Sequence, residues 1–313
     1  VMLLILMMTL GACGGHAGDE GGLILTTGDE TGTYYQFGNL LAQKVNTVTT
    51  SFVAVVSSEG SKDNIHALER DEAQLAFSQY DTMLDARQGR GTFRVNGPNR
   101  SFSAVAALYP EAVHIVTLDP DITSVADLAG KRVSLGPAGS GSYANAVDIL
   151  NAYGLTQKDV VVTHHSMHDA AEALLGGWLD AAFMVAGAPV GTVTALAEDR
   201  PVYLISLDEE HIRKLIAEKP AYSRVVIGAD AYGTAEECVT VAIDAVILAD
   251  REVSEDAVYD FMRGIFDHTE ELKTESPFAD YLSLELAASV AGVPYHPGAA
   301  RYYAEHGITV PTG

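Results

Sequence analysis

The sequence predicts an α/β protein in two lobes, and three observations carry that reading. Short apolar runs alternate with stretches of helical spacing, the pattern of parallel sheets with helices on both faces. The alternation occurs twice. Each half opens with a Gly/Ser/Thr turn between a strand and a helix, one around Gly32 and one around Gly139.

In the first half, strands are expected at residues 23–27, 52–56 and 74–78, and helices at 33–46, 62–69 and 82–88. The helix after the first turn places Phe37, Leu41 and Val45 on one face, the spacing of a buried stripe. A polar, glycine-bearing loop at 89–100 follows, then two apolar runs at 103–108 and 113–117, read as separate strands. The second half repeats the order, with strands at 132–135, 160–163 and 181–185. Its helices run from the Gly/Ser turn to residue 153 and over 168–175. Ala67-Leu68 and Ala76-Phe77 stand at the same separation as Ala173-Leu174 and Ala182-Phe183, which marks the two units as an internal echo.

Further on, 202–207 reads as a strand and 209–218 as a helix. Residues 239–248, rich in β-branched side chains, return the chain to the first lobe, whose flank 254–268 and 280–290 close as helices. Lobe 1 is thus expected over 23–113 plus 239–313 and lobe 2 over 114–238, joined by two crossing strands that act as a hinge.

The formal charge is −23, from 19 Lys+Arg against 42 Asp+Glu. No basic stripe exists to neutralise nucleic-acid phosphates or to hold the chain on anionic lipid. An anionic ligand would therefore have to be met by backbone amides. The apolar run at 1–10, ending in Leu10-Gly11-Ala12-Cys13-Gly14-Gly15, reads as a secretory core rather than a membrane span. Its last residues resemble the bacterial lipobox. Residues 1–22 are expected to be a lipoprotein signal and tether with Cys13 lipidated; an ordinary cleavage with an incidental Cys13 is the other reading. With Cys13 lipidated, Cys238 has no disulfide partner.

The two turns are the candidate binding elements, because a helix start aims unpaired N–H groups and a positive dipole end outward. Gly32 and Thr33 with Tyr34 and Tyr35 form one wall, and Gly139, Ser140, Gly141 and Ser142 the other. Ser58, Asn64 and Gln79 are candidates for polar ends of a ligand, and the turn from Ala186 to Pro189 for the far wall. Local capping or turn chemistry is the competing role for each. Enzymes are disfavoured: Gly139-Ser140-Gly141 lacks the Gly-x-Ser-x-Gly elbow, and no phosphate loop ending Gly-Lys-Ser/Thr occurs. His164 and His168, if on one helix face, offer a metal pair only as the weaker reading.

Thr26-Thr27-Gly28, Thr31-Gly32-Thr33-Tyr34-Tyr35 and Gly38 resemble the opening signature of the TAXI family of solute-binding proteins, which serve TRAP-type transporters. Ser58-Glu59-Gly60-Ser61 with Asn64, the run Ala76 to Asp81, Val133 to Ser142, Ala186-Gly187-Ala188-Pro189 and Val293 to Tyr303 are similar to its later motifs, in order. Asp29-Glu30 and Gln36 depart from it. The resemblance implies a type II periplasmic-binding-protein fold with the ligand in an interlobe cleft. It further implies a monomeric receptor without a cofactor, which captures a glutamate-like amino acid or a dicarboxylate and delivers it to a TRAP membrane subunit. An extracellular sensor, or a periplasmic enzyme on the same fold, would share the cleft.

Overall fold

The computed structural model describes residues 22–313; residues 1–21, with the expected lipidation at Cys13, lie outside the described part. The strands are β1 (Leu23–Thr26), β2 (Val53–Val56), β3 (Leu75–Gln79), β4 (Phe102–Thr117), β5 (Arg132–Ser134), β6 (Val161–Thr163), β7 (Ala181–Ala186), β8 (Tyr203–Leu204), β9 (Ser223–Ile227) and β10 (Cys238–Asp250). The helices are α1 (Thr33–Val48), α2 (Ser61–Glu69), α3 (Tyr80–Gln88), α4 (Gly141–Ala152), α5 (Met167–Leu175), α6 (Gly191–Asp199), α7 (Glu209–Glu218), α8 (Glu255–Phe266), α9 (Thr269–Lys273), α10 (Leu284–Ala287) and α11 (Pro297–Glu305).

The strands order as β2-β1-β3-β10-β4-β7-β5-β6, with β9 on β10 and β8 on β4. The repeat is visible here: β1 lies between β2 and β3, parallel to both, as β5 lies between β6 and β7. Each central strand leads through a glycine-bearing turn into a helix, α1 or α4. Strands β4 and β10 run antiparallel through both halves. One end of β10 pairs with β3 and the other with β9; the far end of β4 pairs with β7.

Apolar packing divides along these two strands. The first core holds Leu25, Phe37, Leu41, Phe77 and Tyr109 and takes up the chain again at Ala245. Two further clusters, with Val113, Ile149, Phe183 and Ile243 in one and Ala112, Met184 and Val193 in the other, make the second half. The cores part between Tyr109 and Ala112 and between Ile243 and Ala245, so Val113, Val241 and Ile243 pack with the second half, not the first. At the crossing, Glu111 faces Ile243 and Pro110 faces Asp244.

Several expectations are corrected. The runs at 103–108 and 113–117 are one strand, β4, that carries Pro110 within it; Pro110 donates no N–H, and β10 shifts register nearby. The expected helix at 280–290 is a short turn, Pro277–Tyr281, followed by α10, because Ser283 accepts from the Leu286 amide and starts a new helix. The strand expected at 202–207 shrinks to β8. The sequence reading did not foresee α6 or β9.

Candidate functional site

Between the halves lies a cavity of about 60 Å³, room for a handful of water-sized groups. It is built where α1, α2 and α4 start and where β4 and β10 cross. From the first half come Gly28, Asp29, Gly32, Thr33, Tyr34, Glu59 and Gln79; from the second, Ser140, Gly141, Ser142, His165, Phe183 and Ala186; from the crossing, Glu111.

The start of α1 is open. Its N-cap is Gly32, and no side chain caps the first turn, so the amides that begin α1 need an outside partner. The start of α4 is occupied. Ser140 accepts from the Tyr143 amide at 3.1 Å and donates to the Pro137 carbonyl at 2.7 Å, so its hydroxyl is a cap rather than a ligand group. The Gly139 carbonyl accepts from the Lys62 and Asp63 amides at 3.2 and 3.3 Å, which closes the start of α2 from across the cleft. This approach requires Gly60 at φ +114°, a region glycine favours, with the Ser140 side chain against it. The Thr192 hydroxyl donates to that of Thr31 at 3.1 Å, and Asn145 Nδ2 to Asp81 Oδ2 at 2.9 Å. The halves are thus in a closed arrangement.

The deep end of the cavity is acidic. Glu111 is 2% exposed and accepts a hydrogen bond from the Tyr34 hydroxyl at 2.6 Å. Burial pushes its carboxyl well above the usual carboxylate range, with hydrogen bonds from Tyr34 and Gln79 opposing the shift and Asp81 and Asp244 adding to it. Burial, then Glu111, also raises Tyr34, which keeps its hydroxyl a donor. The Tyr34 ring stacks on Phe77 at 4.7 Å between centroids. Gln79 is also 2% exposed, and its Oε1 has no partner; a Cβ placed on Gly141 would meet that atom. His165 Nδ1 is likewise buried and unpartnered. Asp29 and Glu59 add two further carboxyl groups, and among the described residues no lysine or arginine lines the cavity.

Of the residues singled out in the sequence, Gly32, Thr33, Tyr34, Gln79, Ser140, Gly141, Ser142 and Ala186 line this space. The others do not. Asn64 Oδ1 accepts from Thr26 and Ser58 hydroxyls, while its Nδ2 donates to the Thr27 and Phe77 carbonyls. Ser58 also lies within hydrogen-bond distance of the Thr27 carbonyl, so Asn64 stitches β1 to β3 behind the site and Ser58 braces it. Tyr35 stands half-buried beside it, and Gly139 acts through its carbonyl. Pro189 is exposed on an outer hollow with Gln36 and Leu40. His164 precedes α5, with Nδ1 2.9 Å from the Gly136 carbonyl, so it shares no helix face with His168. Among the described residues no group of His, Cys, Asp and Glu is arranged to hold a metal ion, and no helix is long and apolar enough to cross a membrane.

Glu111, Glu59 and His165 were not among the candidates read from the sequence, whereas Asp29, noted there as a carboxylate in the first turn, does line the cavity. Glu111 is the lone carboxylate in the sixteen-residue β4 and is buried with nearly all of it, but Pro110 beside it masks that signal by reading as a strand break.

A model of the NMT1-like family matches residues 25–307. Among solved structures, the alkanesulfonate-binding protein SsuA of Xanthomonas axonopodis pv. citri gives a TM-score of 0.52 at 17% identity, over 90% of this chain and 83% of that one. MatC of Rhodopseudomonas palustris with bound malate gives 0.58 at 14% identity, over 82% and 88%. At these identities the likeness is one of fold, the α/β fold of periplasmic binding proteins.

Proposed function

The chain belongs to the NMT1-like family, and we propose that it is an extracytoplasmic solute-binding receptor. In this reading it closes its two lobes on a small organic acid, a glutamate-like amino acid or a dicarboxylate, and hands it to a TRAP-type membrane permease. Residues 1–22 would supply export and, through Cys13, a lipid tether. The observation that carries the reading is the cavity itself: a space between the halves, with an uncapped helix start on one wall and a buried, unpartnered amide oxygen on another.

Magnitudes set what the site must supply. A helix start contributes about 0.3–1 kcal/mol to an anion and up to ~2 when partly buried, whereas micromolar capture needs about 8 kcal/mol. The remainder has to come from hydrogen bonds to a charged solute, about 1.5–3 kcal/mol each. In this reading amides at the start of α1, the Ser142 hydroxyl and the Gln79 amide would make them. Hinge motion about β4 and β10 would admit the solute, since both strands pass from one core to the other.

The test is a thermal-shift screen of amino acids and mono- and dicarboxylates. A solute bound only by the folded protein raises its melting temperature. A rise with at least one small acid is expected; no rise with any of them would overturn the reading.

A further inference from the structure

The deep end of the cavity asks for a different ligand group than its mouth. Gln79 Oε1 is an acceptor without a donor, buried at 2% exposure. Beside it the Glu111 carboxyl accepts from the Tyr34 hydroxyl, and the Gln79 side chain is close enough to hydrogen-bond it as well. The groups facing Glu111 are Tyr34 on α1, Gln79 on β3, Asp81 on α3, Tyr109 on its own strand and Asp244 on β10. The other charged or titratable groups in the cavity lining are Asp29, Glu59 and His165. None brings a fixed positive charge, so a buried Glu111 is favoured in its neutral form. A second carboxylate placed there would meet acceptors and acids; an ammonium would meet two acceptors and turn Glu111 into its counter-ion.

Resting on the receptor reading above, we infer that the solute carries an ammonium group, which docks on Glu111 and Gln79 Oε1 while its carboxylate lies at the open start of α1. Docking ionises Glu111: the neutral carboxyl gives its proton to solvent, and the carboxylate left behind pairs with the ammonium. The receptor therefore separates amino acids from the corresponding acids without nitrogen, and releases a proton as it loads.

Titration calorimetry of the purified chain at pH 7 tests this with two matched pairs, L-alanine against propionate and L-glutamate against glutarate. In at least one pair the amino member should bind about a hundredfold or more tighter than its partner. Its apparent enthalpy should differ between phosphate and Tris buffers by the amount that release of about one proton requires. Glu111→Gln, which keeps the shape, should abolish proton release and weaken the amino member about thirtyfold, with the melting curve of the unliganded protein showing that it folds. Gln79→Met removes the second acceptor and should weaken the same solute about tenfold. Propionate or glutarate binding as tightly as its amino partner, or binding without proton release that Glu111→Gln leaves unchanged, would overturn the inference while the receptor reading stands. Binding by none of the four, together with no rise for any acid in the thermal-shift screen, would overturn both.

Discussion

The starts of α1 and α4 occupy equivalent places in the two repeats, yet they are spent differently. At α1 the N-cap is a glycine and the first-turn amides stand open to the cavity. At α4 the Ser140 hydroxyl caps its own helix, and the Gly139 carbonyl reaches across to end α2. A helix start is an anion site only while its N–H groups are unclaimed. The difference assigns solute contact mainly to the first half and the latch mainly to the second.

The largest effect should come from breaking the support behind α1. Asn64→Ala removes the amide that ties Thr26, Thr27, Ser58 and Phe77 together, and buried partners left unpaired cost about 3 kcal/mol in total. Urea denaturation should show that loss; a change under about 0.5 kcal/mol would place the support elsewhere. Next is the acid at the interlobe contact. Burial, then Asp148, raises Asp81 to about 7, so the folded protein holds a proton that the unfolded chain loses near its ordinary value of 3.8. This contribution to stability is therefore full below about pH 4, falls as pH rises, and is gone above about pH 7. Melting temperatures between pH 5 and 8 should decline more steeply in the wild type than in Asp81→Asn, and equal slopes would remove Asp81 from the account.

Two substitutions sharpen the contrast between the helix starts. Thr33→Pro deletes one amide proton at the first position of α1, where proline is accommodated, and Gly32 at φ −90° and ψ 164° already has the backbone that precedes a proline. Solute affinity should fall about tenfold, as for one lost charge-assisted hydrogen bond, while the unliganded melting temperature falls only slightly, through loss of the long 3.4 Å bond from the Thr33 hydroxyl to the Gly187 carbonyl. Ser140→Ala should do the reverse, costing about 1 kcal/mol of stability as a lost cap with affinity nearly unchanged. If both variants behave alike in calorimetry and melting, the two starts do the same work and the assignment fails.

How much of this was legible beforehand follows from what periodicity encodes. The βαβαβ echo was readable because Ala67-Leu68 and Ala76-Phe77 recur as Ala173-Leu174 and Ala182-Phe183, and both pairs sit in equivalent elements. The turns at Gly32 and Gly141 were readable from strand, glycine and helix spacing. Glu111 was not, because Pro110 reads as a break between strands, whereas the crossing of β4 and β10 absorbs it and buries the next residue. Ser58 and Asn64 have the chemistry of ligand groups but are consumed by the Thr27 carbonyl just after β1 and, for Asn64, the Phe77 carbonyl of β3, a competition that only the sheet's geometry decides. Pro189 shares its turn with Ala186, yet the chain carries it out to the rim. Residue type was visible in each case; side-chain direction was not.

The central claim is that a solute sits between the open start of α1 and the Glu111–Gln79 end of the cavity. A crystal structure of the protein grown with whichever of the four acids raises its melting temperature most tests it directly. The account predicts solute density in contact with the Thr33 amide and Glu111, with both halves closed around it. Density elsewhere on the molecule, over an empty interlobe cavity, would contradict it.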